Sequence, residues 1–229
     1  MSLILQIETA TTVCSVALAK DGRVLCRREV EQRNVHAEKI TLFIDEVLSE
    51  AGRSYADLDA IAVSCGPGSY TGLRIGISAA KGLCFALDKP LIAIETLASM
   101  ADGMIERHSF DGTDYLLCPM IDARRMEVFT ATFDTLGNKL KPTSAEIIDD
   151  NSFADLLIDH HIIFFGDGAG KCSTVLGMHP NATIITDFTN SASHLSKRAL
   201  KRYQEKQFED VAYFEPYYLK DFIAGKKAG

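Results

Sequence analysis

The two halves of the chain open with the same order of sequence elements. An apolar run typical of a strand ends in Glu8 and leads into a hairpin pattern whose turn contains Gly22. Further on, a second apolar run ends in Asp122 and leads into a hairpin pattern with its turn at Gly137. The two acids are 114 positions apart and the turn glycines are 115 apart. Because strand, acid and hairpin return at nearly constant spacing, the sequence predicts a duplicated unit.

Helical and strand-like segments alternate through the rest of each half. Apolar residues at positions 40, 43, 44, 47, 48 and 51 follow helical spacing, and Gly52 is placed to end that helix. Alternation of helical patterns with short apolar runs is typical of an α/β protein. We therefore predict two ribonuclease H-like lobes of the kind found in actin and the sugar kinases. The predicted ranges are 1–107 for the first lobe, 108–207 for a smaller second lobe, and about 208–229 for a C-terminal segment that packs back on the first.

Composition limits which partners the protein can bind and which cellular compartment suits it. The 229 residues carry a formal net charge of −7, which argues against strong independent binding of nucleic acid. The six cysteines lie mostly in apolar runs and never as C-x-x-C, so we expect reduced, buried thiols. Arg74 and Lys81 interrupt the apolar run around them, and the chain begins with a strand-like segment. We therefore expect a cytoplasmic protein without a membrane span.

Residues 66–76 form a glycine-rich loop between a strand-like run and a long helical pattern. We expect positive φ at two of its glycines in a tight strand-to-helix turn, and a serine or threonine cap on the helix. Two interpretations are open: a helix N-terminus that holds an anion, or a tight turn that feeds a helix with a close neighbour. The residues that carry the pattern are Gly66 and Gly68 for the positive φ, Ser69 and Thr71 for the cap, and Pro67 and Arg74.

Small residues recur every four positions in the helix that follows this loop. Gly72, Gly76 and Ala80 leave a shallow groove on one helix face. Glycine inside a helix costs about 1 kcal/mol relative to alanine, so two of them indicate a gain from close backbone approach. The neighbour is either a helix of another protein or an element of the chain's own core, and the sequence leaves both open.

Several motifs, taken in order along nearly the whole chain, resemble the TsaB (YeaZ) family of bacterial proteins. The glycine-rich loop is the most specific of them, and the others are weak one by one. They are Ile7-Glu8-Thr9-Ala10-Thr11 with residues 15–18, His36, Thr96-Leu97 with Ala101, residues 121–124 with Glu127-Val128, and Glu215-Pro216 with residues 218–220. The family fold is the two-lobed actin-like one, in agreement with the repeated openings.

The resemblance implies a non-catalytic subunit required for threonylcarbamoyladenosine at position 37 of tRNAs that read ANN codons. In the family this subunit pairs with the related TsaD, which carries the metal and transfers the threonylcarbamoyl group, while TsaE supplies an ATPase. We expect a homodimer when the chain is alone, and contact with tRNA only through the complex. None of the six histidines has another four positions away, so the sequence lacks the H-x-x-x-H metal pair of TsaD-like proteins.

We predict that two helices form one face that docks the equivalent helix pair of TsaD. Large apolar side chains supply buried area in such contacts, and glycines permit a short distance between helices. The predicted interface consists of Ile40, Phe43, Ile44, Val47, Gly72, Leu73, Gly76, Ile77 and Ala80. On this hypothesis Gly76→Leu abolishes pairing and leaves the monomer folded.

The nucleotide site of an actin-like ATPase is eroded in this sequence. Glu8 stands where aspartate is usual in that superfamily and in TsaB, and Ala10 carries a Cβ where close backbone approach favours glycine. We assign no catalytic residue and no required cofactor, and ATP or ADP at the subunit boundary stays open. The alternative is that both strand-end acids cap neighbouring turns. The possible degenerate site comprises Glu8, Thr9, Asp122, Gly166 and Gly168, with Asp122 facing a phosphate-bound metal.

Two other functions stay in play. One is an ATP-dependent phosphotransferase of the actin-like superfamily. The other, least favoured, is a glycoprotease-like peptidase, for which the sequence offers no metal pair or catalytic triad. A basic helical segment is also ambiguous, because it suits either contact with tRNA phosphates inside a complex or a solvated face. Its cations are Lys197, Arg198, Lys201 and Arg202.

Overall fold

A computed structural model describes residues 1–110 and 114–220 and shows two five-stranded sheets of the same topology. The first sheet contains β1 (Leu3–Glu8), β2 (Val13–Lys20), β3 (Arg23–Glu31), β4 (Ala60–Gly66) and β5 (Leu91–Glu95). The second contains β6 (Tyr115–Asp122), β7 (Glu127–Asp134), β8 (Lys139–Ile147), β9 (His161–Phe165) and β10 (Ala182–Ile185). The strand orders are β3-β2-β1-β4-β5 and β8-β7-β6-β9-β10.

Each sheet combines an antiparallel hairpin with parallel strands on the other side of its opening strand. The predicted acids end the two opening strands, since Glu8 is the last residue of β1 and Asp122 the last of β6. Gly22 and Gly137 both have positive φ in the turns that follow β2 and β7. The predicted duplication and the predicted α/β fold class are therefore confirmed.

Helices cover both sheets. They are α1 (His36–Glu50), α2 (Tyr70–Leu87), α3 (Thr96–Arg107), α4 (Ala154–Asp159), α5 (Ser173–Leu176) and α6 (Ser196–Gln204). Short 3-10 turns lie at residues 55–57, 170–172 and 192–195. Among the residues that the structure describes, no helix is both long enough and apolar enough to cross a membrane.

Alternation along β1 divides the apolar side chains of the first lobe between two layers. Leu5 and Ile7 belong to a core that β1 shares with α1 and α2. Ile4, on the other face, belongs to a smaller core that is completed by Leu195, the N-cap of α6, and by Ala199. The first sheet is therefore sandwiched between the α1–α2 pair and α6.

The second sheet is covered by α3 on one face and by α4 and α5 on the other. Leu97 and Met104 of α3 pack with Leu117 and Phe165. Thus α3, which lies within the predicted range 1–107, covers the second sheet, and α6, within the range 108–207, covers the first. The two lobes therefore exchange these two helices. The predicted boundary between the lobes stays a prediction.

Residues 208–220 lie along the first lobe. Glu209 forms an antiparallel bridge with Leu91, the first residue of β5 in the first sheet. The ammonium of Lys81 on α2 donates hydrogen bonds to the carbonyl oxygens of Ala212 at 3.2 Å and Phe214 at 3.0 Å. The remaining part of the predicted C-terminal segment, residues 221–229, lies outside the described residues.

Candidate functional site

The glycine-rich loop joins β4 to α2 and packs against the turn that follows β1. Gly66 has the expected positive φ, and the Oγ of Ser69 caps α2 by accepting from the N–H of Gly72 at 3.2 Å. Gly68 is outside the positive-φ region, contrary to the prediction. It is needed for space instead, because a Cβ there would lie 2.5 Å from the carbonyl oxygen of Ala10.

The glycine face of α2 is used inside the chain itself. A Cβ on Gly72 would overlap the carbonyl oxygen of Thr9, and a Cβ on Gly76 would overlap the Thr9 hydroxyl. Both glycines therefore let α2 approach the end of β1 closely, and Ala80 on the same face is fully buried. The sequence left open whether the close neighbour of this helix face belongs to another protein or to the chain's own core. The structure shows that it belongs to the chain's own core.

The predicted partner interface is wrong for nearly all of its residues. A helix that packs on a sheet turns its apolar stripe toward the sheet, so the most regular apolar rows of α1 and α2 fill the core. The buried members are Ile40, Ile44, Val47, Gly72, Leu73, Gly76, Ile77 and Ala80, whereas Phe43 is half-buried. The expectation that Gly76→Leu spares the monomer is wrong for the same reason.

A second row of small residues on α2 faces solvent. Ser78, Gly82 and Ala86 are also four positions apart, and all three are exposed. A Cβ added at Gly82 would meet no atom within 4 Å. Phe85 beside them is 86% exposed. We call this surface the outer face, and it consists of Ile75, Ser78, Ala79, Gly82, Phe85 and Ala86 of α2 with Leu42 and Phe43 of the adjacent α1.

The two strand-end acids hold the turns that follow them. The Oε1 of Glu8 accepts from the N–H of Ala10 at 2.6 Å and from the hydroxyl of Ser64 at 2.8 Å. In the second lobe, the Oδ1 of Asp122 accepts from the N–H of Arg124 at 2.8 Å. Each acid thus caps the residue two positions later, which is the alternative that the sequence had left open. Removal from water raises the pKa of the fully buried Glu8 to about 7.

The carboxylate of Asp122 is paired with a cation of the chain. The ammonium of Lys171 lies 2.5 Å from Asp122 Oδ1 and 2.6 Å from the carbonyl oxygen of Glu127. The Asp122 carboxylate is therefore already paired with a positive charge of the chain itself. In the described part of the chain, no group of three His, Cys, Asp or Glu side chains is arranged to hold a metal ion.

Most of the predicted degenerate nucleotide site does not reach an open surface. Glu8 and Thr9 are fully buried. Gly166 and Gly168 are buried as well, because they pack against the backbone of β6 at Met120 and Ile121. Of the five predicted residues, Asp122 lines the cleft between the lobes.

That cleft has a volume of about 1240 Å³ and takes its walls from both lobes. The first lobe contributes Arg33, Asn34, His36, Pro67, Gly68, Ser69 and Thr71, the second contributes Asp122, Arg124, Arg125 and Glu127, and residues 217–220 lie at its edge. An ion pair between Lys220 and Glu127 links the C-terminal segment to the second lobe.

Sequence reasoning missed the arginines of this cleft. Arg124 and Arg125 both have positive φ, at 76° and 45°, in the tight turn between β6 and β7. For residues other than glycine this conformation costs roughly 1–2 kcal/mol each. The available signal was a pair of arginines that begins two residues after the acid that ends the strand, where the repeat places a turn.

The C-terminal segment docks on the glycine-rich loop. The Nε of Arg74 donates to the hydroxyl of Tyr218 at 3.0 Å, and its guanidinium lies 4.1 Å from the ring centre of Tyr70. The N–H of Tyr217 donates to the carbonyl oxygen of Cys65 at 2.7 Å. Arg74 therefore holds Tyr218 of the C-terminal segment in place, a role of Arg74 that the sequence pattern did not indicate.

The basic helix α6 is largely neutralised by acids of the chain. The ion pairs are Lys197 with Glu106 at 3.2 Å, Arg198 with Asp102 at 2.7 Å, and Arg202 with Glu209 at 3.5 Å. Lys201 is exposed, and no ion pair involves it among the described residues. These pairs favour a structural role for α6 over contact with tRNA phosphates.

All six cysteines are buried and free, as predicted. Burial raises the pKa of Cys14 to about 11 and those of Cys65, Cys84 and Cys118 to about 12, so the nucleophilic thiolate is scarce. We expect a thiol-disulfide reagent at pH 8 to find no fast-reacting thiol in the native protein and six after unfolding in urea. A native thiol that reacts within seconds would contradict this burial.

Comparison with known proteins relates the chain to two kinds of protein, TsaD and TsaB. The family model described as TsaD, tRNA N6-adenosine threonylcarbamoyltransferase, matches residues 29–213. The tRNA threonylcarbamoyladenosine biosynthesis protein TsaB of Escherichia coli is 41% identical over 130 residues, which are 57% of this chain and 54% of that protein. The chain thus matches about half the length of this curated relative.

Solved structures agree over most of the chain. YeaZ from Pseudomonas aeruginosa superimposes with a TM-score of 0.77 and 27% identity, over 96% of this chain and 100% of that one. The activator of the 2-hydroxyisocaproyl-CoA dehydratase from Clostridium difficile, with bound ADPNP, matches at a TM-score of 0.50 and 10% identity over 90% and 97% of the two chains. The latter likeness supports the fold alone, which is the predicted two-lobed actin-like one. The chain belongs to the family of the TsaD model, and within it to the TsaB (YeaZ) group.

Proposed function

We propose that this chain is a non-catalytic subunit that binds TsaD and supports the formation of threonylcarbamoyladenosine in tRNA. Similarity to the E. coli protein supports the pathway, because that relative is named for the biosynthesis of this nucleoside. The match to the TsaD model supports the choice of partner, since related chains can pair through equivalent surfaces about a pseudo-twofold axis.

The outer face is the observation that carries this proposal. Between Ile75 and Leu87, α2 has a single charged side chain, Lys81, whose ammonium already donates to two carbonyl oxygens of the C-terminal segment. An exposed helix face without free charge is typical of a protein interaction surface. The predicted helices are thus retained as the partner site, but with the opposite side of α2 in contact.

Its shape suits another helix pair. Gly82 has no side chain and Ala86 a small one, so a facing helix can approach closely there. Phe85 and Leu42 are exposed apolar side chains that can act as anchors at the rim of such a contact. Pairing with the equivalent helices of TsaD would make a four-helix contact.

The assembly around this pair is part of the proposal. TsaE joins the complex, ATP or ADP binds at the subunit boundary, and tRNA is contacted only through the complex. In the absence of TsaD, the apolar outer face favours a homodimer. We place the complex in the cytoplasm, where free buried thiols such as these stay reduced.

Restoration of the tRNA modification in cells tests the proposal. In cells depleted of their own TsaB, this chain should restore threonylcarbamoyladenosine, measured by mass spectrometry of digested tRNA. Gly82→Arg should fail, because a charged side chain in the close contact weakens pairing by about 2 kcal/mol or more, which is about 30-fold. The matched control is Ala154→Arg on the exposed surface of α4 in the second lobe.

Three results would count against it. Full restoration by Gly82→Arg removes the outer face from the function, and failure of the Ala154→Arg control makes the loss non-specific. Hydrolysis of ATP by the purified chain alone, in the presence of magnesium, contradicts the non-catalytic role.

A further inference from the structure

We propose that a small cavity beside α6 binds the carboxylate group of a molecule about the size of an amino acid, and that Arg198 and Lys201 hold this carboxylate. The cavity has a volume of about 280 Å³ and lies where α3 and α6, the two exchanged helices, meet the end of β5 and the hairpin of β7 and β8. It shares no lining residue with the cleft or with the outer face. The inference therefore goes beyond the proposed function and does not depend on pairing with TsaD.

Charged side chains from one face of α6 and from its C-cap line the cavity. They are three or four positions apart and are therefore neighbours: Arg198, Lys201, Arg202 and Glu205. Arg202 is paired with Glu209 at 3.5 Å. Two other lining residues, Lys139 and Glu95, form an ion pair with each other. Among the charged side chains of the wall that the structure describes, these pairs leave Lys201, Glu205 and part of Arg198 with unused hydrogen-bonding capacity.

Two unused donors on this face match the two oxygens of a carboxylate. The Nη2 of Arg198 donates to Asp102 at 2.7 Å and to the carbonyl oxygen of Gly137 at 2.9 Å. The Nε of the same side chain is buried and has no hydrogen-bond partner in the described part of the chain. The ammonium of Lys201, one turn away, takes part in no ion pair among the residues that the structure describes. A buried donor without an acceptor is unfavourable, and a ligand carboxylate supplies one acceptor oxygen to each group.

The N-terminus of α3 opens on the same cavity. This helix begins at Thr96, directly after β5, and Ala98 of its first turn lines the cavity. The N-cap residue Glu95 makes no side-chain hydrogen bond to that turn, because its carboxylate is engaged with Lys139 and Thr143. The dipole of α3 favours an anion near these first residues and adds to the positive charge of the α6 face.

Volume and charge limit the ligand to a small molecule with one carboxylate. A cavity of about 280 Å³ lies below the range of about 300–1,000 Å³ that is typical of sites for drug-sized ligands. Ile94, Ala98 and Phe133 give the wall an apolar part that suits a short carbon skeleton. Glu95 and Glu205 repel a multiply charged anion. The carboxylate therefore comes from a short-chain acid or, with its ammonium on the carboxylate of Glu205, from a free amino acid.

Lys201→Glu is the variant that tests the site. It replaces attraction of the ligand by repulsion, and it should melt like the wild type because Lys201 is exposed on the surface of α6. Its matched control is Lys197→Glu, which changes the net charge of the chain by the same amount on the same helix. Lys197 is also exposed, pairs with Glu106 at 3.2 Å and does not line the cavity.

NMR titrations of the isotope-labelled protein at constant ionic strength test the inference with three matched probes. The probes are propionate, L-alanine, which adds an ammonium to the same carbon chain, and propionamide, which replaces the carboxylate by a neutral amide. We expect at least one of the first two to shift the backbone amide signals of Ala98 and Phe133 until saturation, and propionamide to leave them unchanged. Tighter binding of L-alanine identifies an amino acid as the source of the carboxylate and tighter binding of propionate a simple acid, and both results support the site.

The variants give the expected magnitude. Affinity for the probe that binds should fall about tenfold or more in Lys201→Glu and stay unchanged in Lys197→Glu, with both variants melting like the wild type. The inference is overturned if neither carboxylate probe shifts these signals at tens of millimolar, or if propionamide binds as tightly as propionate. It is also overturned if Lys201→Glu keeps the wild-type affinity or if Lys197→Glu loses as much.

Discussion

Gly72→Ala is expected to lower the free energy of unfolding by about 3 kcal/mol or more, because the added methyl overlaps backbone and cannot be relieved by a side-chain rotation. The Cβ would overlap the carbonyl oxygen of Thr9 at the end of β1. Either α2 must move away from the sheet or β1 must shift, and both changes disturb the largest core of the first lobe. Urea unfolding followed by circular dichroism measures the change.

Gly82→Ala is the matched control, since it makes the same chemical change in the same helix. The added methyl meets nothing within 4 Å, so the gain in helix propensity should raise the free energy of unfolding by roughly 0.5–1 kcal/mol. If Gly72→Ala were as stable as the wild type, the close contact between α2 and β1 would be wrong.

Glu8→Gln is expected to stabilise the protein at pH 8 by up to about 3 kcal/mol and to have little effect at pH 4.5. The pKa of the buried carboxyl is about 7 in the folded protein and 4.5 when it is unperturbed, as expected after unfolding. A raised folded pKa means that the folded state holds the proton more tightly. This contribution to stability is complete below pH 4.5 and is lost as the pH rises to 7, where the buried group must ionise.

The glutamine variant removes this titration with little change in shape. It keeps the oxygen that accepts from Ala10 and Ser64 and places the uncharged amide at Oε2, which has no hydrogen-bond partner among the described residues. Urea unfolding between pH 4.5 and pH 8 gives the difference from the wild type, and the exposed Glu31→Gln is the control. A difference that does not grow with pH would contradict the burial of Glu8.

The duplicated architecture could be predicted because its signals are local. A strand, its terminal acid and a hairpin turn are each specified by neighbouring residues, as at Glu8 with Gly22 and at Asp122 with Gly137. The exchange of α3 and α6 between the lobes could not be predicted in this way. It depends on which sheet lies beside each helix, and that is decided by contacts distant along the chain.

The orientation of α2 shows where the sequence pattern stops being sufficient. The helix carries one small-residue row at Gly72, Gly76 and Ala80 and another at Ser78, Gly82 and Ala86. Spacing identifies both rows but does not indicate which one meets the sheet. The position of Thr9 decides between them, and it is known only once β1 and α2 are brought together.

The cleft was only partly predictable. The sequence places the two acids at the ends of β1 and β6 and allows them to cap the following turns, as they do in the structure. The pairing of Asp122 with Lys171 brings together residues 49 positions apart, and no local pattern signals it. Arg33 lines the same cleft as the arginines of the second lobe only because the two lobes pack together.

The central claim is that α2 uses one face for the fold and the opposite face for TsaD. Calorimetric titration of purified TsaD with the wild type, with Gly82→Arg and with Ala154→Arg tests it most directly. The melting temperature of each variant is measured as the control for folding. We predict that Gly82→Arg melts like the wild type and binds TsaD about 30-fold or more weakly, whereas Ala154→Arg binds normally. Binding of Gly82→Arg with wild-type affinity would contradict the claim.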